Sequence, residues 1–262
     1  MMEADHRMLV RIPDNADALL YTGIERLEAK AFACFGRRLV TRPGLDDAVG
    51  ADGDDSVEIV LALRSDLPAA LRNAVGLESE TPDAYAIRPV PRNGGHVIVL
   101  TGSNARGCLF AAHALADQWE THGRVEPDAL AYEPVTPHRW VLFQYGVSGG
   151  HRASKRFNLS RASIEEFPRH GINGVYLYNA PVWPWYTFEM AQGQPQLVET
   201  EADELMSIFR EFKAQGLEIA YACPIDFPSD YSVDQISAYL RGELELPDAI
   251  RRLRERLAAL LD

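Results

Sequence analysis

Gly174-Val-Tyr-Leu-Tyr178 is a short apolar run with turn sequence before it, and its surroundings decide the fold. Ser160 to His170 precedes it with a helical pattern in which Ser160 and Ser163 are candidate caps. Before that helix, Trp140-Val-Leu-Phe-Gln-Tyr145 has the composition of a buried strand. After the central run, Thr200 to Gln215 is amphipathic, with Leu205, Ile208, Phe209 and Phe212 on one face. Thr200 is its candidate cap and Gly216 its stop. Leu217-Glu-Ile-Ala-Tyr-Ala222 then supplies a third strand, and two more helices are expected at Ser232–Leu240 and Pro247–Leu261. Strand and helix alternate, which predicts βαβ units and a parallel sheet. Three such units do not close the eight-unit barrel, which takes about 250 residues.

Working back toward the N-terminus, Glu133 to His138 (EPVTPH) reads as an extended connector. The expected domains are therefore 1–134 and 138–262. The first half reads as a small α+β domain. Its expected strands are Arg7–Ile12, Arg38–Thr41 and Val57–Leu63, with a hairpin pair at Tyr85–Val90 and His96–Thr101. A helix capped by Asp14 or Asn15 is expected to run to Phe35 and stop at Gly36. A second opens at Thr101-Gly-Ser-Asn104 and places Leu109, Ala112, Leu115, Ala116 and Trp119 at helical spacing. The fold class is α/β, a small α+β N-terminal domain followed by an incomplete (β/α) barrel segment.

The 262 residues are 47% hydrophobic and 24% charged, the balance of a globular chain. No apolar run approaches the roughly 18 residues that cross a bilayer. The acidic N-terminus has no signal-peptide core, so a cytoplasmic location and no membrane partner are expected. A net charge of −12 repels a phosphate backbone, so no nucleic-acid partner is expected either. Cys34, Cys108 and Cys223 are widely spaced and odd in number, which argues against a disulfide framework. They read as buried free thiols. No histidine or cysteine spacing suggests a metal site, and no cofactor motif is present.

The candidate site lies where the strands of the second half end. Trp183-Pro-Trp185-Tyr186-x-Phe188 follows the second strand. Aromatic faces stack on the apolar faces of sugar rings while polar edges reach hydroxyls. The same cluster could instead bury itself as a packing cap or an interface. Gln144, Tyr145, Gly146 and Asn179 end the first two strands, and an amide that donates and accepts suits paired hydroxyls. They could also satisfy loop backbone. Asp226 follows the third strand and Glu189 lies beyond the second; solvated loop carboxylates are the alternative. Gly146-Val-Ser148-Gly-Gly150 fits the G-x-S-x-G expression, but the only later histidines, His151 and His170, fall in the same unit. The Thr101–Gly107 turn offers free N–H groups to an anion, or is an ordinary capped helix start.

Two resemblances run through these residues. Asp83-Ala-Tyr85-Ala-Ile-Arg88, His96-Val-Ile-Val99 and Gly102-Ser-Asn-Ala-Arg-Gly107, leading into the helix through Leu115, resemble the small domain that precedes the barrel in bacterial β-hexosaminidases and α-glucuronidases. Gly107 would permit close packing there. Phe143-Gln-Tyr145-Gly146, Asn173-Gly-Val-Tyr-Leu-Tyr-Asn179-Ala-Pro181 and Tyr221-Ala-Cys-Pro224-Ile-Asp226 resemble the first three strand ends of an O-GlcNAcase-type β-N-acetylglucosaminidase barrel. Leu246 to Leu253 resembles the segment feeding the fourth. The resemblance implies a glycoside hydrolase acting on an N-acetylhexosaminide or related glycoside. It implies sugar contacts from Gln144, Tyr145, Gly146, Asn179, Trp183, Trp185, Tyr186 and Asp226. Two positions depart from it: Val182 stands where that family has a lysine, and Cys223-Pro224-Ile225 replaces serine-proline-glycine. The family's catalytic carboxylate pair follows strand four, so the expected pair lies beyond Asp262 and the chain reads as a fragment. The alternative is a non-catalytic carbohydrate-binding or assembly module. Its open sheet edge would seek a second copy or a complementary barrel chain.

Overall fold

The structure is a computed structural model that describes residues 7–45, 57–92, 95–144, 161–178 and 207–221. The chain divides into two compact units. The first comprises Met1–Arg139 with Glu165–Ile172 and Ala214–Gly216; the second comprises Trp140–Ile164, Asn173–Lys213 and Leu217–Asp262.

The first unit is built on a six-stranded sheet. Its strands are β1 (Arg7–Ile12), β2 (Arg38–Pro43), β3 (Glu58–Leu63), β4 (Tyr85–Arg92), β5 (Gly95–Gly102) and β6 (Leu130–Tyr132). Their spatial order is β2-β1-β3-β5-β4-β6. β2, β1, β3 and β5 run parallel, while β4 pairs antiparallel with β5 and with β6. The expected hairpin is thus present, set between the parallel strands β2, β1 and β3 and the short antiparallel partner β6. Helices α1 (Ala18–Phe35), α2 (Ala69–Val75) and α3 (Ala105–His122) complete the unit.

The period-2 alternation of side chains divides the apolar residues into two cores. Ile59, Leu61, Ile98, Leu100 and Ile87 turn to the face covered by α1 and α3, where they pack with Leu20, Ile24, Leu27, Leu115 and Trp119. Val60, Ala62, Val97, Val99 and Ala86 turn to the other face and pack with Leu67, Leu71 and Val75. A strand buried on both faces reads as a continuous apolar run, which is why VEIVLAL stands out in the sequence.

Local signals set the helix ends, with one difference from expectation. Asp17 caps α1, its Oδ1 accepting from Leu19 N at 2.8 Å, in place of Asp14 or Asn15. Asp17 is the carboxylate adjoining the first helical residue; the two earlier candidates lie in a preceding turn. Asn104 caps α3 by accepting from Gly107 N at 2.7 Å, so the Thr101–Gly107 turn is a capped helix start. Cys108 is fully buried, and desolvation pushes its thiol up to about 12. Cys34 corrects the buried-thiol reading: it is exposed, because the inward stripe of α1 runs Leu20, Ile24, Leu27, Ala31 and then Phe35, not its neighbour. Cys223 lies outside the described residues.

The second unit holds β7 (Trp140–Gln144), β8 (Gly174–Tyr178) and β9 (Glu218–Tyr221), all parallel in the order β7-β8-β9. Helix α4 (Arg161–Arg169) and helical residues 207–214 lie between them in sequence. Trp140, Gly174 and Glu218 are aligned across the three strands. Gly174 is required there, since a Cβ would come within 2.5 Å of Trp140 Cδ1. Ile164, Val175, Phe209, Phe212 and Leu217 are buried. The expected helices at 232–240 and 247–261 lie outside the described residues. No helix among the described residues is long and apolar enough to cross a membrane.

Gly107 lets α3 approach the sheet closely: a Cβ there would stand 2.6 Å from the Ala84 carbonyl oxygen and 3.2 Å from Gly102 Cα. Gly107→Ala is expected to lower unfolding stability in urea by about 1–3 kcal/mol through overpacking. Gly123→Ala, at a left-handed position with open space around it, tests backbone strain alone and is expected to cost about 1 kcal/mol.

Candidate functional site

Three parallel strands end side by side in the second unit. Gln144 is in register with Tyr178, and Leu177 with Tyr221. The chain therefore leaves β7, β8 and β9 at one end of one sheet, where parallel α/β folds gather their ligands. Gln144 is the last residue of β7. Tyr145, Gly146, Asn179, Trp183, Trp185, Tyr186 and Asp226 lie outside the described residues, as do Ser148, His151 and Glu189. Tyr145 and Asn179 directly follow two paired strand ends in the sequence. His170, the other histidine considered, is exposed and 3.8 Å from Glu166.

The described polar chemistry is concentrated in the first unit. Asp83 is fully buried, with a backbone φ of 69° that non-glycine residues seldom adopt. Arg106 Nε donates to its Oδ1 at 2.7 Å, Arg139 Nη2 to its Oδ2 at 2.9 Å, and Asn104 Nδ2 to Oδ1 at 3.1 Å. The two arginines reach further. Arg139 Nε bonds the Gly171 carbonyl at 2.5 Å and Arg139 Nη1 the Thr136 carbonyl at 2.9 Å. Arg106 Nη1 bonds the Gly216 carbonyl at 3.2 Å. In the sequence Asp83 and Arg106 stand out only as parts of a motif, and Arg139 not at all. Their signal is ionic but nonlocal, with 23 and 56 residues separating the partners. A second buried carboxylate, Glu58, pairs with Arg11 and Arg92.

His113 sits on α3 with neither ring nitrogen bonded. Burial, followed by the nearby Arg26 and Arg169 charges, brings its pKa down from 6.5 to about 3. It is held neutral. Among the described residues no group of histidine, cysteine and carboxylate side chains could hold a metal ion.

No protein-family model and no curated protein sequence matches the chain. Solved structures do. CpGH84D superposes with a TM-score of 0.57 at 12% identity, covering 97% of this chain and 39% of its own. A GH138 enzyme targeting pectin rhamnogalacturonan II gives 0.55 at 14% identity over 84% of this chain and 32% of its own. BtGH115A, a family GH115 4-O-methyl-α-glucuronidase with specificity for decorated arabinogalactans, gives 0.50 at 10% identity, over 98% and 40%. The fold is glycoside-hydrolase-like. The chain spans about a third to two fifths of the length of these proteins, and at such identities the likeness is one of fold.

Two outcomes follow from the buried charges. Asp83→Ala leaves two arginines without their shared counterion, and chemical denaturation is expected to show a loss of about 3–5 kcal/mol. The second concerns acid. The folded pKa of His113 lies below its unfolded value, so the unfolded state takes up the proton first. The contribution is whole above pH 6.5 and is lost as pH falls toward about 3, by up to ~1.4 kcal/mol per pH unit. His113→Leu is expected to flatten the fall in stability between pH 6.5 and 5, read from urea midpoints.

Proposed function

We propose that this chain is part of a glycoside-hydrolase-like protein of carbohydrate metabolism, with an N-acetylhexosaminide or related glycoside as its substrate class. The observation that carries the reading is the aligned exit of β7 and β8 at Gln144 and Tyr178, directly ahead of the sugar-binding sequence motifs. In this reading residues 1–134 are a hexosaminidase-type N-terminal domain. Residues 138–262 are the first three βα units of a TIM barrel. The fold match to CpGH84D over 97% of the chain, but only 39% of that protein, supports an incomplete barrel.

Each site residue then has a role. Gln144 and Asn179 offer an amide that donates and accepts, which suits vicinal hydroxyls. Tyr145, Trp183, Trp185 and Tyr186 offer ring faces to the C–H surface of the pyranose. Gly146 leaves room for the sugar to approach the backbone, and Asp226 accepts from a hydroxyl. Glycoside hydrolysis needs two carboxyl groups flanking the scissile bond. None of these residues supplies such a pair, so the role that fits them is sugar binding.

A second reading, association through the sheet, is favoured by the topology. Among the described residues β7 and β9 each pair on one side only. Such an edge suits a complementary barrel chain or a second copy.

Tryptophan fluorescence titrated with N-acetylglucosamine and its β-1,4-linked disaccharide tests the sugar reading. Saturable binding is expected, weakened about tenfold or more in Trp183→Ala and Trp185→Ala, as for aromatic anchors. Absence of binding by either sugar, or equal binding by both variants, would overturn it.

A further inference from the structure

We infer that the first unit carries a separate binding cleft for a neutral polyhydroxylated ligand, a single sugar unit or a disaccharide, between α3, the edge pair β4–β6 and the turn after α4. The inference does not rest on the strand-end reading. The cleft has a volume of about 390 Å³. That falls within the range of about 300–1,000 Å³ typical of small-molecule sites.

The sequence builds it from two periodicities. Phe110, Ala114, Asp117, Gln118, Thr121 and His122 recur at helical spacing and bring one face of α3 to the cleft. Tyr85 and Tyr132 are directly opposite one another on β4 and β6. Their rings lie 5.2 Å apart with a 30° tilt, forming an aromatic wall at the edge of the sheet. Gly171, held by Arg139, fixes the third side.

Some polar groups on these walls are already paired and others are not. The hydroxyls of Tyr85 and Tyr132 make no hydrogen bond to the described protein. Burial, with the neighbouring Tyr132 and Asp117, pushes the Tyr85 phenol up to about 12, so it stays a neutral donor. Asp117 is one-third exposed; its Oδ1 meets Arg169 Nε at 2.8 Å, and Oδ2 has no partner among the described residues. Gln118 is locked in orientation, its Nε2 donating to the Asp128 carbonyl at 3.3 Å and its Oε1 accepting from Asp128 N at 2.8 Å. Tyr85, Tyr132, Asp117 and Gln118 therefore line one concavity.

Charge selects among ligands. Arg169 is already shared by Asp117, Glu120 and Glu166 at 2.8, 3.3 and 3.3 Å, so it offers no free charge to a phosphate or carboxylate. Glu120 is also paired with Lys30 and Glu166 with Arg26, and the lining His122 and His170 lie beside Asp128 and Glu166, so the charges around the cleft compensate one another. The Arg169 guanidinium, in contact with Asp117, weakens the pull of that carboxylate on a cation. What remains is a neutral ligand with C–H faces for the tyrosines and hydroxyls for the polar edges.

Chemical-shift mapping on the isotopically labelled chain tests this, with N-acetylglucosamine, glucose and cellobiose at millimolar concentration as probes. At least one probe is expected to shift resonances of residues 114–122, 130–132 and 168–171 together. Tyr132→Ala is expected to weaken that response about tenfold, and Tyr132→Phe and Tyr85→Phe severalfold with unchanged melting temperature. Trp183→Ala and Trp185→Ala are expected to leave it intact, which separates this site from the strand-end one. No shifts in those three segments with any probe, or shifts insensitive to both Phe variants, would overturn the proposal. Tetramethylammonium or inorganic phosphate binding there in preference to the sugars would overturn its neutral-ligand chemistry.

Discussion

Asp83 is the residue on which the first unit turns. A buried carboxylate on a left-handed backbone is costly on two counts, desolvation and conformation, so it persists only where the surroundings overdetermine it. Here Arg106, Arg139 and Asn104 supply that determination. One negative charge thereby organises the start of β4, the N-terminus of α3 and the connector at Thr136–Arg139. The same two guanidiniums also hold the carbonyls of Gly171, through Arg139 Nε, and Gly216, through Arg106 Nη1. Both glycines end helical segments in the left-handed conformation, where terminal carbonyls need partners. The planar, multiply donating guanidinium suits this task, since it can hold a carboxylate with one edge and a carbonyl with another.

Much of the fold was legible because it follows from local periodicity. The two long helices of the first unit, the strands around Ile59, Val99 and Val175, and the glycine stops at Gly36 and Gly216 all appear in the sequence pattern. Other features depend on partners distant in sequence and leave no local mark. The parallel order β2-β1-β3-β5 requires crossovers that hydrophobic spacing does not specify. Helix α2 is only seven residues long, and β6 only three, too short for periodicity to register. Cys34 shows the limit of an apolar pattern near a helix end. One residue separates it from Phe35, whose ring packs edge-on against Trp119 at 5.8 Å.

The candidate site divides the same way. Strand-end position is topological, and alternation of strand with helix was enough to foresee that β7, β8 and β9 would share a sheet. The residues expected to touch sugar came from composition and resemblance, and of these only Gln144 falls among the described residues. The Asp83 cluster and the tyrosine-lined cleft were invisible for a physical reason: they assemble from β4, α3, β6 and the Gly171 turn, whose spacing in sequence carries no period. His113 is a related case, since a histidine inside an amphipathic helix gives no sign of its charge state until its desolvation and its arginine neighbours are known.

Sugar binding is proposed for the rim formed by the ends of the three parallel strands β7, β8 and β9. A crystal structure of the chain in complex with the β-1,4-linked N-acetylglucosamine disaccharide tests it most directly. Sugar density is expected beyond Gln144 and Tyr178, within hydrogen-bonding distance of side chains that follow β7 and β8. Sugar bound at the opposite ends of these strands, or a fully liganded crystal with the strand ends empty, would contradict it.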